Sequence, residues 1–226
     1  MPIFYTKEKD MTFQEMDELR FQKYGSFSSD PHATRVRRAI SWGVAAENAT
    51  GEDEQFIFYW IALNATYGNE ETASANERFK RTKFFEKICE LDVENNINKA
   101  LIAIQNQLRV FVDNKYMYDE YWKLLKNEVT PERFEDLKVR VRKKIYTGLM
   151  SKEGEIGLLD YLFDLISLLR NQIFHGLATY QSSVNREQLI PCVEILKNTV
   201  PIIVEIVLKH SEVDWGSISY PYIQQD

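Results

Sequence analysis

The stretch GLLDYLFDLISLLRNQIFHG, residues 157–176, has the clearest helical pattern in this chain. Its large apolar residues recur at offsets of three and four, at Leu158, Leu159, Leu162, Leu165, Ile166 and Leu169. This spacing gives an α-helix a wide apolar stripe that must be buried against other helices. The sequence therefore predicts that the apolar run 157–169 belongs to a core-facing helix, and that this helix ends in a polar cluster.

The polar cluster consists of Arg170, Asn171 and His175. On a helix, Asn171 and His175 share a face because they lie four residues apart, whereas Arg170 lies five before His175 and points elsewhere. One helix alone does not bring the guanidinium and the imidazole onto one small group, but two copies crossing at a symmetric dimer interface do. A structural interpretation competes with this one. His175 and Gly176 would merely end the helix, since a cation suits the last turn and glycine suits the left-handed position after it.

The pattern of Arg and Asn, followed after three residues by His on a late helix, resembles the HEPN superfamily. RNQIFHG followed by SSVNREQ is similar to one bacterial HEPN group, and so is the earlier stretch FIFYWIALNATYG. The resemblance extends from about Arg35 to His210, most of the chain. It implies an all-α, HEPN-like up-and-down helical bundle with additional helices. It also implies a ribonuclease, because many members cleave RNA without a metal, while others have lost catalysis and only bind.

Metal-free cleavage of RNA needs a base for the 2′-hydroxyl, an acid for the leaving 5′-oxygen, and positive charge on the phosphorane. His exchanges protons near neutral pH, and the Arg fork binds phosphate oxygens. We therefore assign proton transfer to His175, transition-state charge to Arg170, and orientation of His175 or of the phosphate to Asn171. The resemblance implies that the products are a 2′,3′-cyclic phosphate and a 5′-hydroxyl.

Two other interpretations remain open on the sequence. A non-catalytic HEPN-like module would bind a nucleotide, a nucleic acid or a protein partner, and the acidic total charge favours it. A purely structural dimer would leave the three polar residues without a task. The presence of both Arg170 and His175 favours the enzyme. The resemblance to the HEPN superfamily implies a role in phage defence or as a toxin held by an antitoxin.

The net charge limits where RNA can bind. The 226 residues include 28 Lys and Arg against 34 Asp and Glu, a net charge of −6. This total argues against a whole-surface grip on nucleic acid and leaves a local basic site. Two runs of cations are candidates for RNA contacts: Arg35, Arg37 and Arg38, and then Lys138, Arg140, Arg142, Lys143 and Lys144. The alternative for each run is a solvated face that contacts scattered acids.

Neither a metal nor a cofactor is expected, because the chain has three His, none of them near a Cys, and no Gly-rich phosphate loop. Cys89 and Cys192 lie in apolar helical patterns, which indicates buried, reduced thiols of an intracellular protein. The N-terminal residues show no signal-peptide pattern, and the most apolar stretches, 56–65 and 200–208, are too short to span a bilayer. We expect a soluble cytoplasmic protein without membrane contact.

The other helices are predicted from apolar periodicity and capping residues at 12–24, 35–48, 53–67, 77–91, 95–112 and 116–122, from Thr130 onward, and up to His210. In the helix over 53–67, Asn64 is a polar interior residue that either satisfies backbone groups or positions the active site. Asn185 and Gln188 resemble a capping pair for the last helix, which Pro191 and Pro201 should bend.

Three segments are expected along the chain. Residues 1–30 form an N-terminal accessory segment, because the breaker-rich run GSFSSDP closes it. Residues 31–210 form the HEPN-like helical domain. Residues 211–226 form a polar C-terminal tail that packs loosely or contacts a partner.

Overall fold

The structure, a computed structural model, describes residues 11–26, 28–68, 77–183 and 186–220. These residues contain ten α-helices and no strand, so the predicted all-α class is confirmed. The helices are α1 (Phe13–Tyr24), α2 (Pro31–Asn48), α3 (Glu52–Tyr67), α4 (Glu77–Leu91), α5 (Asn96–Ala103), α6 (Gln105–Asp113), α7 (Asp119–Leu125), α8 (Pro131–Met150), α9 (Glu155–Phe174) and α10 (Arg186–Lys209). Two short 3-10 turns, Lys115–Met117 and Lys152–Gly154, precede α7 and α9.

Side chains that satisfy free N–H groups of the first turn set the helix starts. The Thr12 hydroxyl accepts from the Glu15 N–H at 3.2 Å, and the Glu15 carboxylate accepts from the Thr12 N–H at 2.7 Å. The predicted capping box of α1 is therefore confirmed. Helix α2 starts at Pro31 rather than at residue 35, because the Asp30 carboxylate accepts from the Ala33 N–H at 2.9 Å.

Helix α3 packs against α2 and α10, while α9 packs against α4 and α8. The two groups meet through aromatic rings in the core. The ring of Phe163 on α9 lies 6.4 Å from that of Trp60 on α3 and 5.0 Å from that of Phe85 on α4. All three side chains are buried, so the helix predicted to face the core does so.

Two further predicted helices have wrong bounds. Residues 95–112 form two helices rather than one, because the chain breaks at Ile104, where φ is −106° and ψ is 25°. Helix α10 packs on both α5 and α6, and the break lets each of them turn its apolar face to α10. The helix predicted at 116–122 starts instead at Asp119, because Tyr118 is extended and buried, with its hydroxyl donating to the Val112 carbonyl at 2.6 Å.

Helix α1 packs on α2 through Phe13 and Met16, both fully buried. The ring of Phe13 lies against Gly43 of α2 so closely that a Cβ at Gly43 would sit 2.3 Å from ring carbons. A glycine is therefore needed at this approach of the two helices. Residues 1–10 of the predicted accessory segment lie outside the described residues.

Residues 211–220, the described part of the predicted tail, are held against the helices. Trp215 is buried, its Nε1 donates to the His210 carbonyl at 2.7 Å, and its ring lies 5.8 Å from that of Phe84. This part of the chain is thus fixed rather than loosely packed, whereas residues 221–226 lie outside the described residues.

The last helix, α10, contains both Pro191 and Pro201, and the bend that they should cause stays a prediction. The capping pair predicted for α10 involves Asn185, which lies outside the described residues. None of the helices in the described ranges combines the length and the apolar character that crossing a membrane requires.

Candidate active site

Helix α9 runs to Phe174 and ends at the polar cluster, as predicted. The N–H of Leu177 donates to the Gln172 carbonyl at 2.7 Å, and the N–H of Gly176 donates to the Ile173 carbonyl at 3.1 Å. Gly176 has φ of 69°, so the helix ends in a complete Schellman motif with glycine in the left-handed position. The predicted structural role of Gly176 is confirmed, and His175 is the last residue before it.

Arg170 is the half-buried member of the cluster, with 21% of its side chain exposed. Its Nη2 donates to both carboxylate oxygens of Glu77, at 2.8 and 3.0 Å. Its guanidinium lies 5.2 Å from the centre of the Trp60 ring, within the range of a cation–π contact. The ion pair and the ring hold the guanidinium in one place, on the side of α9 that faces α3 and α4.

Tyr67 and Asn64 lie close to this guanidinium, and the hydroxyl of Tyr67 donates to Asn64 Oδ1 at 2.8 Å. Burial raises the pKa of Tyr67 far above its usual value, although the nearby arginines oppose the shift. Tyr67 therefore stays protonated and is unsuited to act as a general base. Asn64 is half-buried, and its side chain accepts this hydroxyl rather than serving a backbone group, while a role in positioning the active site stays a prediction.

Asn171 and His175 are exposed on the outer face of α9. Neither side chain makes a hydrogen bond or an ion pair with any residue that the structure describes. Arg170 points away from them toward α3 and α4, as the five-residue spacing predicts. A single copy therefore keeps the guanidinium and the imidazole on different sides of the helix.

Exposed apolar side chains surround the cluster. Phe174 is 51% exposed, Leu177 is 76% exposed and Tyr180 is 63% exposed. The hydroxyl of Tyr180 donates to the Glu54 carboxylate and so ties the segment after α9 to the start of α3. An apolar surface beside exposed polar groups is typical of a contact with another macromolecule.

Buried and half-buried ion pairs join α4 to α9 next to Arg170. Arg81, 2% exposed, donates to Asp164 and to the hydroxyl of Ser167, and Arg78 Nη2 lies 2.6 Å from Asp164 Oδ2. Thr82 donates to Asp160 at 2.9 Å. Sequence reasoning missed these partners, although Asp160 and Asp164 lie four residues apart on one face of an otherwise apolar helix.

The three arginines predicted as one RNA-binding run on α2 are separated by the fold. Arg35 is 1% exposed, and its guanidinium donates to the carbonyls of Thr66, Gly68, Gly216 and Ser217 at 2.8, 3.4, 2.8 and 3.0 Å. It is thus a buried structural residue and is not available to RNA. Arg38 is half-buried and donates to the carbonyls of Ser219 and Tyr220, whereas Arg37 is exposed.

The five cations predicted to bind RNA on α8 point to different sides of the helix. Lys138 and Arg142 share one flank, where Arg142 Nε donates to Asp113 Oδ1 at 2.7 Å. Arg140 and Lys144 share the opposite flank, where Lys144 Nζ lies 5.2 Å from the centre of the Tyr161 ring on α9. Lys143 is exposed between the flanks. The run therefore does not form one continuous patch.

The described residues contain no group of three or more His, Cys, Asp or Glu side chains placed to hold a metal ion. At the start of α9, Glu155 is fully buried, with its carboxylate 3.3 Å from Lys152 Nζ. Burial raises the pKa of Glu155, and burial together with the nearby Glu155 carboxylate raises the pKa of Cys89 to about 12. Cys89 is therefore an inert thiol rather than a nucleophile.

No family model matches the chain, and neither a curated protein nor a solved structure matches it. The HEPN resemblance thus rests on the motif, and any function must be argued from the geometry at the end of α9.

Proposed function

We propose that the protein is a metal-independent endoribonuclease whose active site is completed by a second copy of the chain. The proposal is carried by the end of α9, where exposed Asn171 and His175 lie on one face and a fixed Arg170 guanidinium lies on another. Two copies that meet across this end would place an Arg170 from one beside a His175 from the other. Phe174 and Leu177 would supply apolar contact area for the dimer.

Each side chain has a task in this reaction. His175 accepts the proton of the attacking 2′-hydroxyl or donates a proton to the leaving 5′-oxygen, tasks for which imidazole is the usual side chain. Arg170 stabilises the charge of the phosphorane, and its grip by Glu77 and Trp60 limits the reorganisation needed. Asn171, on the same face as His175, orients the imidazole or the phosphate. The products would be a 2′,3′-cyclic phosphate and a 5′-hydroxyl.

RNA would approach along the exposed side of α9. Arg140 and Lys144 of α8 and Arg78 of α4 flank this side, next to Tyr161 and Asp164. Local cations of this kind suit an acidic protein that binds RNA at one place. More peripheral contacts would come from the other exposed or half-exposed cations proposed for RNA: Arg37, Arg38, Lys138, Arg142 and Lys143.

The biological setting that fits this proposal is defence against phage or a toxin–antitoxin pair, in the cytoplasm. The ten helices would then form an HEPN-like up-and-down bundle with additional helices. An antitoxin or another protein partner would then cover the exposed face that holds Asn171 and His175.

The first test is incubation of the purified protein with single-stranded and structured RNAs in excess EDTA, beside His175→Ala. We expect the native protein to cut RNA and to leave 2′,3′-cyclic phosphate ends, and we expect His175→Ala to be inactive. If neither protein cuts while both remain folded dimers, the proposed reaction is refuted.

A second test addresses the composite site. Arg170→Ala and His175→Ala, each inactive alone, are mixed under conditions that exchange subunits. If one active site needs one guanidinium and one imidazole from different copies, the mixture recovers part of the native rate. Recovery without subunit exchange, or full activity of either variant alone, would contradict a shared site.

A non-catalytic binding module is the second candidate function. The ion pair between Arg170 and Glu77 favours it, because part of the guanidinium is already engaged by a carboxylate. Tight binding of uncut RNA by both the native protein and His175→Ala would select this alternative.

A further inference from the structure

A small cavity lies between the end of α1 and the first turns of α2, away from the α9 site. Its volume is about 240 Å³. Of the eight described residues that line it, three are Arg, four carry hydroxyl groups and none is acidic. Arg20, Arg37 and Arg38 supply the positive charge, and Ser28, Thr34 and Ser41 are among the hydroxyl residues.

Not every charge at this cavity is paired with an acidic side chain. Arg20 is 8% exposed and pairs with Asp17 at 2.7 Å, but Arg38 donates to backbone carbonyls of the tail, which carry no net charge. The buried Arg35 also has carbonyl partners. Burial and then repulsion by Arg38 lower the pKa of Arg35 to about 10, so the positive charges already oppose each other. An anion in the cavity would relieve this repulsion.

Thr34 provides a second and independent observation. Its side chain lines the cavity and is 7% exposed, and its hydroxyl has no hydrogen-bond partner among the residues that the structure describes. An unpaired buried hydroxyl is costly, so a ligand that accepts its proton would be stabilised there.

We propose that this cavity binds a phosphate group. Arginine forks and hydroxyl donors match phosphate oxygens, and the volume suits a phosphate or the phosphate end of a longer molecule rather than a whole nucleotide. The phosphate belongs either to a free phosphate compound or to the 5′ end of an RNA strand. This site does not depend on the proposed cleavage, because none of its lining residues belongs to the α9 cluster.

Binding is tested by calorimetric titration of the full chain with inorganic phosphate, against sodium chloride of matched ionic strength. We expect saturable phosphate binding that Arg37→Ala weakens by about tenfold or more, because a charge-assisted contact is lost. Thr34→Val, which keeps the side-chain shape, should also weaken binding and should not reduce thermal stability. Arg133→Ala, an exposed Arg outside the cavity, is the matched control and should bind phosphate as the native protein does.

A second arm distinguishes the two sources of phosphate. Short RNA strands with a 5′-phosphate or a 5′-hydroxyl are titrated into His175→Ala, which removes cleavage as a complication. If the 5′-phosphate strand binds more tightly, and this preference is lost when Arg37→Ala is added to His175→Ala, the cavity binds RNA ends. If inorganic phosphate binds but the two strands bind equally, the cavity binds free phosphate compounds. No binding of inorganic phosphate, or equal affinity in Arg37→Ala and Arg133→Ala, overturns the proposal, whatever the cleavage assay shows.

Discussion

Glu77 determines how Arg170 is presented at the proposed active site. Both hydrogen bonds between them come from Nη2, so the carboxylate grips one corner of the guanidinium. Replacing Glu77 with Gln should loosen this grip and also remove one negative charge near the RNA. We expect kcat to fall roughly ten- to hundredfold, since misplacement of a catalytic group costs rates of this order. KM should stay the same or fall, as steady-state cleavage kinetics will measure.

Glu86→Gln is the matched control for this change. Glu86 lies on the same helix, is half-exposed, and pairs with Lys83 at 2.7 Å rather than with Arg170. It should leave kcat unchanged. Equal effects of the two variants would mean that Glu77 acts through helix stability or general charge instead of through Arg170.

His32 ties the start of α2 to α1 and α10. Its Nε2 lies 2.8 Å from the Val207 carbonyl, which only accepts, and its Nδ1 lies 2.7 Å from the Tyr24 hydroxyl. The neutral ring with the proton on Nε2 satisfies both contacts. Burial, the largest cause, lowers the pKa of His32 from its usual 6.5.

The lowered pKa of His32 makes its contribution to the free energy of unfolding depend on pH. Because the unfolded chain binds the proton more readily, the contribution of His32 is fully present above pH 6.5 and is lost as the pH falls from 6.5 toward the folded pKa. His32→Gln keeps a donor for Val207 and does not titrate. The difference in free energy of unfolding between the native protein and His32→Gln should therefore shrink on acidification, as urea denaturation at pH 7.5 and at lower pH will measure. A constant difference would contradict this account.

At the scale of the elements, Gly148 allows α8 to approach α9. A Cβ at Gly148 would lie 2.7 Å from Leu158 Cβ and 3.0 Å from the Gly154 carbonyl oxygen. One neighbour is the Cβ of a buried leucine and the other is a backbone atom, so neither can move away easily. We expect Gly148→Ala to reduce the free energy of unfolding by about 1–3 kcal/mol, the usual cost of overpacking. Urea denaturation will measure it.

Gly157→Ala is the control on the neighbouring helix. The nearest atom to a Cβ at Gly157 is Cε of the flexible Lys144 side chain, at 3.4 Å. Alanine has the higher helix propensity, so this change should raise the free energy of unfolding by up to about 1 kcal/mol. Destabilisation by both changes to the same extent would rule out the close approach at Gly148 as the cause.

The exposure of the three arginines on α2 depends on contacts with distant parts of the chain. The sequence predicts Arg35, Arg37 and Arg38 on a helix, which is correct, although α2 starts four residues earlier than predicted, at Pro31. Whether each one meets solvent depends on what packs over the helix. The end of α3 and the segment 216–220 cover Arg35, and the segment 216–220 also covers Arg38. Both covering segments are distant in sequence from these arginines.

At the scale of the whole molecule, the proposed enzyme must be a dimer. Leu177 is 76% exposed beside His175, so Leu177→Asp should leave the fold intact and place a charge in the proposed interface. We expect the dimer to dissociate more than tenfold more readily, since burial of one leucine contributes about 1.5–3 kcal/mol. RNA cleavage should fall in parallel, as sedimentation and cleavage assays at matched concentrations will measure.

Val93→Asp is the control for a new charge on an exposed apolar residue. Val93 is 82% exposed. It lies near the start of α9, at the opposite end of this helix from Leu177, because Lys152 donates to the carbonyl of the neighbouring Asp92. It should change neither the mass in solution nor the rate. A monomeric native protein that cuts RNA at full rate would refute the shared site.

Features that depend on neighbours within one or two helical turns could be predicted from the amino-acid sequence. The all-α class, the capping box of α1, the buried face of α9 and its Gly176 end follow from offsets of three and four residues, because helical geometry is local. The position of Asn171 and His175 on one face of α9 follows in the same way.

Contacts between side chains of distant helices could not be predicted in this way and are seen in the folded structure. Arg170 and Glu77 lie 93 positions apart, and Arg35 reaches carbonyls more than 180 positions away. No periodicity encodes such pairs, since they depend on how whole helices dock and on which polar groups their apolar packing buries together. The same packing divided the basic runs of α2 and α8, whose charges adjoin in sequence, among different faces of the molecule.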